Sequence, residues 1–209
     1  MGPAAVRARG FTVALIGCDG AGKTTVARAL EREPGLPIRY LYMGVSADSS
    51  NRRLPTDPIA DAVRRARPPS GVRAVLRLAN RVADEWYRQL LAQAHMAAGR
   101  VVVFDRHFHA DYHASDIAAP VRTPSRRIHG WLLAHAYPKP DLVVFLDAPP
   151  EVLYARKGEG TPASLARRRA DYLALRALTP RFAVVDAARP LGEVVANVAR
   201  IVREFEATR

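Results

Sequence analysis

Eight consecutive residues, Gly17-Cys18-Asp19-Gly20-Ala21-Gly22-Lys23-Thr24, spell the phosphate-loop pattern G-x-x-x-x-G-K-[ST]. Their flanks restrict the fold as much as their spelling does. Phe11-Thr12-Val13-Ala14-Leu15-Ile16 reads as a buried strand, and Thr25-Val26-Ala27-Arg28-Ala29-Leu30 reads as a helix. Strand, glycine-rich loop and helix in that order form a cradle: the glycines let several backbone N–H groups point at one phosphate chain, and the helix N-terminus adds a favourable dipole. The nucleotide-binding set expected from this is Gly17, Gly20, Ala21, Gly22, Lys23, Thr24 and Thr25. Lys23 would reach the β- and γ-phosphates of ATP, and Thr24 would offer its hydroxyl to Mg²⁺.

The rest of the chain repeats the alternation. Apolar runs stand at 11–16, 38–43, 101–104, 142–146 and 182–185, with helical patterns at 24–32, 72–98, 125–136, 150–157, 163–178 and 191–206. Continuous apolar runs suit strands covered on both faces. The expectation is an α/β, three-layer P-loop NTPase fold: a five-stranded parallel sheet flanked by helices, with ligands at the strands' C-terminal rim. That rim collects the P-loop, Asp105-Arg106-His107, Asp147 and Asp186. Two stretches break the pattern, a polar insertion at about 44–71 on the acceptor side and a charged lid at about 156–169. No repeat or linker divides residues 1–209, so a single domain is expected.

Composition narrows the class. The formal charge is +12, and only Lys23, Lys139 and Lys157 are lysines. Arginine is scattered without a dense block, which suits handling of polyanionic small molecules better than a nucleic-acid interface. Cys18 is the one cysteine, so no internal disulfide can form, in keeping with a reducing compartment. No apolar run is long enough to span a membrane and no signal-peptide core is visible, so a cytoplasmic location is expected.

With these motifs in place, the chain resembles thymidylate kinases. The P-loop carries an Asp two residues after its first glycine. Asp105-Arg106-His107 follows a buried strand as that family's Asp-Arg-[Tyr/His] motif does. Residues 140–152 resemble its fourth strand and following turn, and Val184-Val185-Asp186-Ala187 the strand and loop passing the adenine. The resemblance implies transfer of the ATP γ-phosphoryl to a nucleoside monophosphate such as dTMP, with ATP and Mg²⁺ as cofactors and a possible homodimer. It gives Asp105 to Mg²⁺ alongside Thr24, Arg106 to the acceptor phosphate, Asp19 to the acceptor sugar or metal-bound water, Arg156 to the lid and Asp186 to the base side. Lys23, Asp105, Arg106, Arg156 and Asp19 are thus the expected catalytic set. Among Arg156, Lys157, Arg167, Arg168 and Arg169, one or two would close on the transferring group, Arg156 foremost, and the rest would form a solvated helix face.

The acceptor half departs from the family. No Glu-Pro or Gly-Gly follows Tyr42, and no glutamine follows Phe108-His109-Ala110-Asp111-Tyr112. Arg81 is the candidate base reader on the long helix, and Tyr40, Tyr42, Trp86 and Tyr87 are candidate stacking residues. A kinase acting on a hydroxyl of a nucleoside, sugar or other metabolite is therefore an alternative. It would need a base from among Asp105, His107, Asp19, His109 and Asp111. H-x-H-x-D-x-H at 107–113 also admits a zinc reading. The chain lacks N-K-x-D, and no D-x-x-G follows the third strand, where Asp105-Arg106-His107-Phe108 stands instead; both argue against a GTPase.

Overall fold

The computed structural model describes residues 9–43 and 70–209. Most of the 44–71 insertion lies outside the described residues. Five strands, β1 (Thr12–Ile16), β2 (Ile38–Tyr42), β3 (Val101–Asp105), β4 (Leu142–Asp147) and β5 (Phe182–Asp186), form one parallel sheet in the order β2-β3-β1-β4-β5. The helices are α1 (Lys23–Leu30), α2 (Ser70–Ala97), α3 (Phe108–Tyr112), α4 (Pro124–His135), α5 (Pro150–Lys157), α6 (Pro162–Ala174) and α7 (Leu191–Ala207). The α/β expectation and all five strand positions hold.

Burial explains the order. Every residue of β1 and β3 is buried, while edge strand β5 has one buried residue of five. The most continuous apolar runs therefore occupy the middle of the sheet, where helices cover both faces. Parallel pairing puts Leu15 beside Asp105 and Asp147 beside Asp186, so the acidic strand ends share one edge with the P-loop.

One local feature was not expected from the sequence. Residues after β3 form the short α3 and then a π-helical turn, His113–Ile117. The lid joins the two helices expected around it: Gly158 closes α5 in a left-handed conformation, and Thr161 opens α6 with a reciprocal capping box to Ser164.

Candidate active site

The P-loop turns where only glycine fits. Gly20 has φ 88°, and a Cβ there would stand 2.7 Å from the Leu153 carbonyl oxygen; Gly22, with φ 84°, leads directly into α1. Lys23 is buried, and its Nζ donates to the carbonyl oxygens of Gly17 (2.7 Å) and Cys18 (2.8 Å). Burial, reinforced by the Arg106 charge, pushes its pKa down to about 8.

Behind the loop, Thr24 Oγ1 donates to Asp105 Oδ2 at 2.5 Å, and Tyr40 Oη donates to the same oxygen at 3.2 Å. Asp105 is fully buried, and its Oδ1 has no hydrogen-bond partner among the described residues. A threonine hydroxyl beside an unsatisfied carboxylate oxygen is a hard-oxygen donor set that fits Mg²⁺. Tyr40 is thereby a wall of the site rather than a stacking residue.

Arg106 adopts φ 72°, the left-handed region that a side chain disfavours. Its N–H donates to the Leu15 carbonyl at 3.1 Å, which fixes the turn to β1. Its guanidinium donates to Asp19 Oδ1, while Arg168 Nη1 from α6 donates to Asp19 Oδ2 at 2.8 Å. Burial alone would raise the Asp19 pKa; the Arg106 charge and hydrogen bond, with Lys23 and Arg168, bring it below the usual carboxylate range. The guanidinium of Arg106 is held charged against its own burial by Asp111 and Asp19. A cavity of about 370 Å³ opens beside Asp19, lined also by Gly160, Ser164, Arg167, Arg168 and Asp171.

Other expected residues sit elsewhere on the rim. Arg156 donates through Nη1 to the Ala187 carbonyl at 2.8 Å, which ties it to the loop after β5 and not to Asp19. Asp186 accepts from the Ala188 N–H and pairs with Arg189 at 3.4 Å. Thr25 is exposed in the first turn of α1. Arg169 grips Asp147 with two bonds, Nε at 2.6 Å and Nη2 at 2.7 Å. Lys157 pairs with Glu159 at 3.1 Å and reaches Asp19 at 4.0 Å. Arg168 and Arg169, rather than Arg156, are thus the lid arginines that meet carboxylates of the P-loop and β4.

His107 and His109 face a cavity of about 50 Å³ with Ala14, Ile16, Lys139 and Val143. Burial depresses them to about 3 and about 4, so both are neutral and poor proton acceptors. Among the described residues, no group of three or more His, Cys, Asp or Glu could hold a metal, so the 107–113 run does not assemble the zinc set its spacing suggested. The turn into α3 separates these side chains: Asp111 instead accepts from Tyr172 at 2.9 Å, while His109 packs on His113 at 5.6 Å. On the acceptor side, Arg81 lies over the Tyr112 ring at 4.9 Å and 3.8 Å from Asp116. Asp116 and Glu85 clasp the buried His129 at 2.7 and 2.9 Å. Trp86 packs edge-on against Tyr137.

Residues 13–185 match a protein-family model described as an AAA domain. The chain belongs to this AAA-domain family. It is a P-loop kinase of the thymidylate kinase-like kind, with relatives over nearly its full length. It is 28% identical to a probable thymidylate kinase of Methanosarcina mazei, over 94% of this chain and 97% of the relative. It is 29% identical to a probable thymidylate kinase of Pyrobaculum aerophilum, over 91% and 95%. It is 28% identical to a thymidylate kinase of Burkholderia thailandensis, over 90% and 94%. A solved thymidylate kinase from Candida albicans superposes with a TM-score of 0.67 at 20% identity, over 95% of this kinase and 93% of that chain, a likeness of fold. No helix among the described residues of the kinase is long and apolar enough to cross a membrane.

Proposed function

We propose that the protein moves the γ-phosphoryl of ATP to the phosphate of a nucleoside monophosphate such as dTMP. The observation that carries this is the meeting of Arg106 and Arg168 on Asp19 at the mouth of the P-loop. It gathers two guanidiniums where a donor and an acceptor phosphate would face each other. Arginine suits that position because its planar fork binds phosphate in two places. The names of the relatives supply the acceptor class.

In this reading the P-loop N–H groups and Lys23 neutralise the β- and γ-phosphates, and Thr24 and Asp105 hold Mg²⁺. Held there, the metal would supply positive charge to offset that of the phosphate oxygens. Arg106 orients the acceptor phosphate, whose oxygen forms the new P–O bond as ADP leaves. No general base is needed, because the acceptor is already ionised at neutral pH. Arg168 passes from Asp19 to the transferring group, and α6 excludes water. Arg156 and Asp186 belong to the base side. The reading takes residues 1–209 as one kinase domain working in the cytoplasm.

A hydroxyl acceptor is the second reading. Asp111 favours it, a carboxyl raised by burial beside Arg106 and so fit to take a proton. An ATP-consumption screen over nucleoside monophosphates, nucleosides and sugars separates the two. Turnover of monophosphates alone supports the first reading. Arg106→Ala should then lower kcat/KM for the monophosphate by roughly 10²-fold or more, the scale of a lost charge-assisted phosphate contact. Turnover confined to unphosphorylated acceptors would refute the first reading.

We further propose a homodimer through α2. Val72, Val75, Ala79, Ala83, Trp86 and Leu90 recur at spacings of three and four along this 28-residue helix, and all are exposed. Such a stripe suits packing against a second helix. Light scattering should give a dimer mass for the wild type and a monomer mass for Leu90→Glu. Equal masses would remove α2 from the interface.

A further inference from the structure

Helix α6 lies on the rim along one face, and that face is mixed. Leu165 and Tyr172, two turns apart, are buried. The Cys18 thiol donates to the Leu165 carbonyl at 3.7 Å, and the Tyr172 ring packs on Phe145 at 5.8 Å. With about 100° between successive helical residues, Leu165 and Tyr172 point the same way, and Arg168 and Arg169 fall on opposite sides of the line joining them. Each arginine meets a different carboxylate. Arg168 donates through Nη1 to Asp19 Oδ2 at 2.8 Å, a single bond to the P-loop. Arg169 donates through Nε to Asp147 Oδ1 at 2.6 Å and through Nη2 to Asp147 Oδ2 at 2.7 Å. The Arg169 contact is a fork on a fork, a geometry that also fixes the plane of the guanidinium. Its base is firm: Asp147 ends β4, pairs with Asp186 of β5, and accepts the Ala187 N–H on its carbonyl at 2.6 Å.

We propose that Arg169 and Asp147 are positioning residues: their forked pair fixes the roll of α6 about the Leu165–Tyr172 seam and so aims Arg168 at the P-loop. This rests on the reading of Arg168 as the cation that passes to the transferring group. An apolar seam alone lets a helix rock, because apolar burial has no direction. Rotation about the seam would carry Arg168 away from the loop while Leu165 and Tyr172 stayed covered. Tyr172 Oη, which donates to Asp111 at 2.9 Å, lies on the seam itself and resists sliding more than rolling. The Asp147 fork opposes the roll from the far side of the seam. The two ion pairs therefore do different things. The single bond to Asp19 is given up when a phosphoryl group arrives, and the two bonds to Asp147 are kept. Arg168 can then exchange partners while the helix stays in place.

Asp147→Asn removes the charge and one of the two acceptors, and Arg169→Ala removes the fork. With ATP and dTMP, each should lower kcat roughly 10-fold, the scale of one hydrogen bond between charged groups, and leave both KM values within about twofold. Arg169→Lys keeps the charge without the fork and should recover little of the loss; full recovery would overturn the fork as the cause. In an Arg168→Ala background, neither Asp147→Asn nor Arg169→Ala should lower kcat further, because the residue they act through is gone. A merely structural role would add its full effect there, and that result would overturn the proposal, as would a loss confined to KM. Amide hydrogen exchange of the ligand-free protein is a readout independent of any acceptor. Asp147→Asn should speed exchange across α6 roughly 10-fold and leave α1 unchanged. Unchanged exchange in α6 would overturn the anchoring. If Arg168→Ala keeps the wild-type kcat, or the wild type ignores dTMP, while exchange in α6 still rises, the functional assignment fails and the anchoring of α6 by Asp147 stands.

Discussion

Lys23→Ala should reduce phosphoryl transfer roughly 10³-fold or more with every acceptor, because it removes the one P-loop cation and its charge at the transferred group. The lysine is already in the loop, donating to the Gly17 and Cys18 carbonyls, and swings a short way to meet phosphate. Its depressed pKa adds a pH signature. Below about 8 the ammonium form is present; above it the ligand-free site loses the proton. Binding of the phosphate chain restores it, so ATP affinity should fall about tenfold per pH unit above that value. Stability of the ligand-free protein has the opposite sign. The unfolded chain binds the extra proton between about 8 and 10.5, so this group makes folding more favourable as pH rises through that window, by at most about 3 kcal/mol. Calorimetric titration of ATP from pH 7 to 9.5 reads the first effect. A flat affinity across that range would show that ligand-free Lys23 keeps its proton there.

Asp105→Asn should cost roughly 10²- to 10³-fold in turnover at the Mg²⁺ concentration that half-saturates the wild type, with part of the loss recovered at higher Mg²⁺. The asparagine can keep one oxygen for the Thr24 and Tyr40 hydroxyls, so the fold has little reason to change. It replaces a buried carboxylate with one unpartnered oxygen, an arrangement that is costly unless a cation meets it. Initial rates against Mg²⁺ check the expectation. A variant with the wild-type Mg²⁺ dependence would move the metal away from Asp105.

The frame of this site was readable from the sequence because it depends on local rules. The apolar runs gave the strands, and the P-loop spelling fixed the turn. The ends of β1 and β3 then had to be neighbours, which brings Thr24 to Asp105. The lid was less readable, because which arginine faces the rim depends on helix phase. Arg168 and Tyr172 share a face of α6, whereas Arg156 stands at the end of α5 and turns to Ala187. Spacing four apart on a helix was the available clue, but it needed the position of Thr161, where α6 begins. The stretch 108–117 was the hardest. Its histidines and aspartates have weak helix preference, and a five-residue helix followed by a π-turn has no apolar period to reveal it. The Glu85–His129–Asp116 contact joins residues far apart in the chain and left no trace in any one segment.

The backbone at Arg106 carries a message about selection. An L-residue with a side chain is worse off than glycine in this left-handed geometry, by roughly 1 kcal/mol. Random drift at such a position runs downhill toward glycine, and a lineage freed from the need for this enzyme should lose the arginine there early.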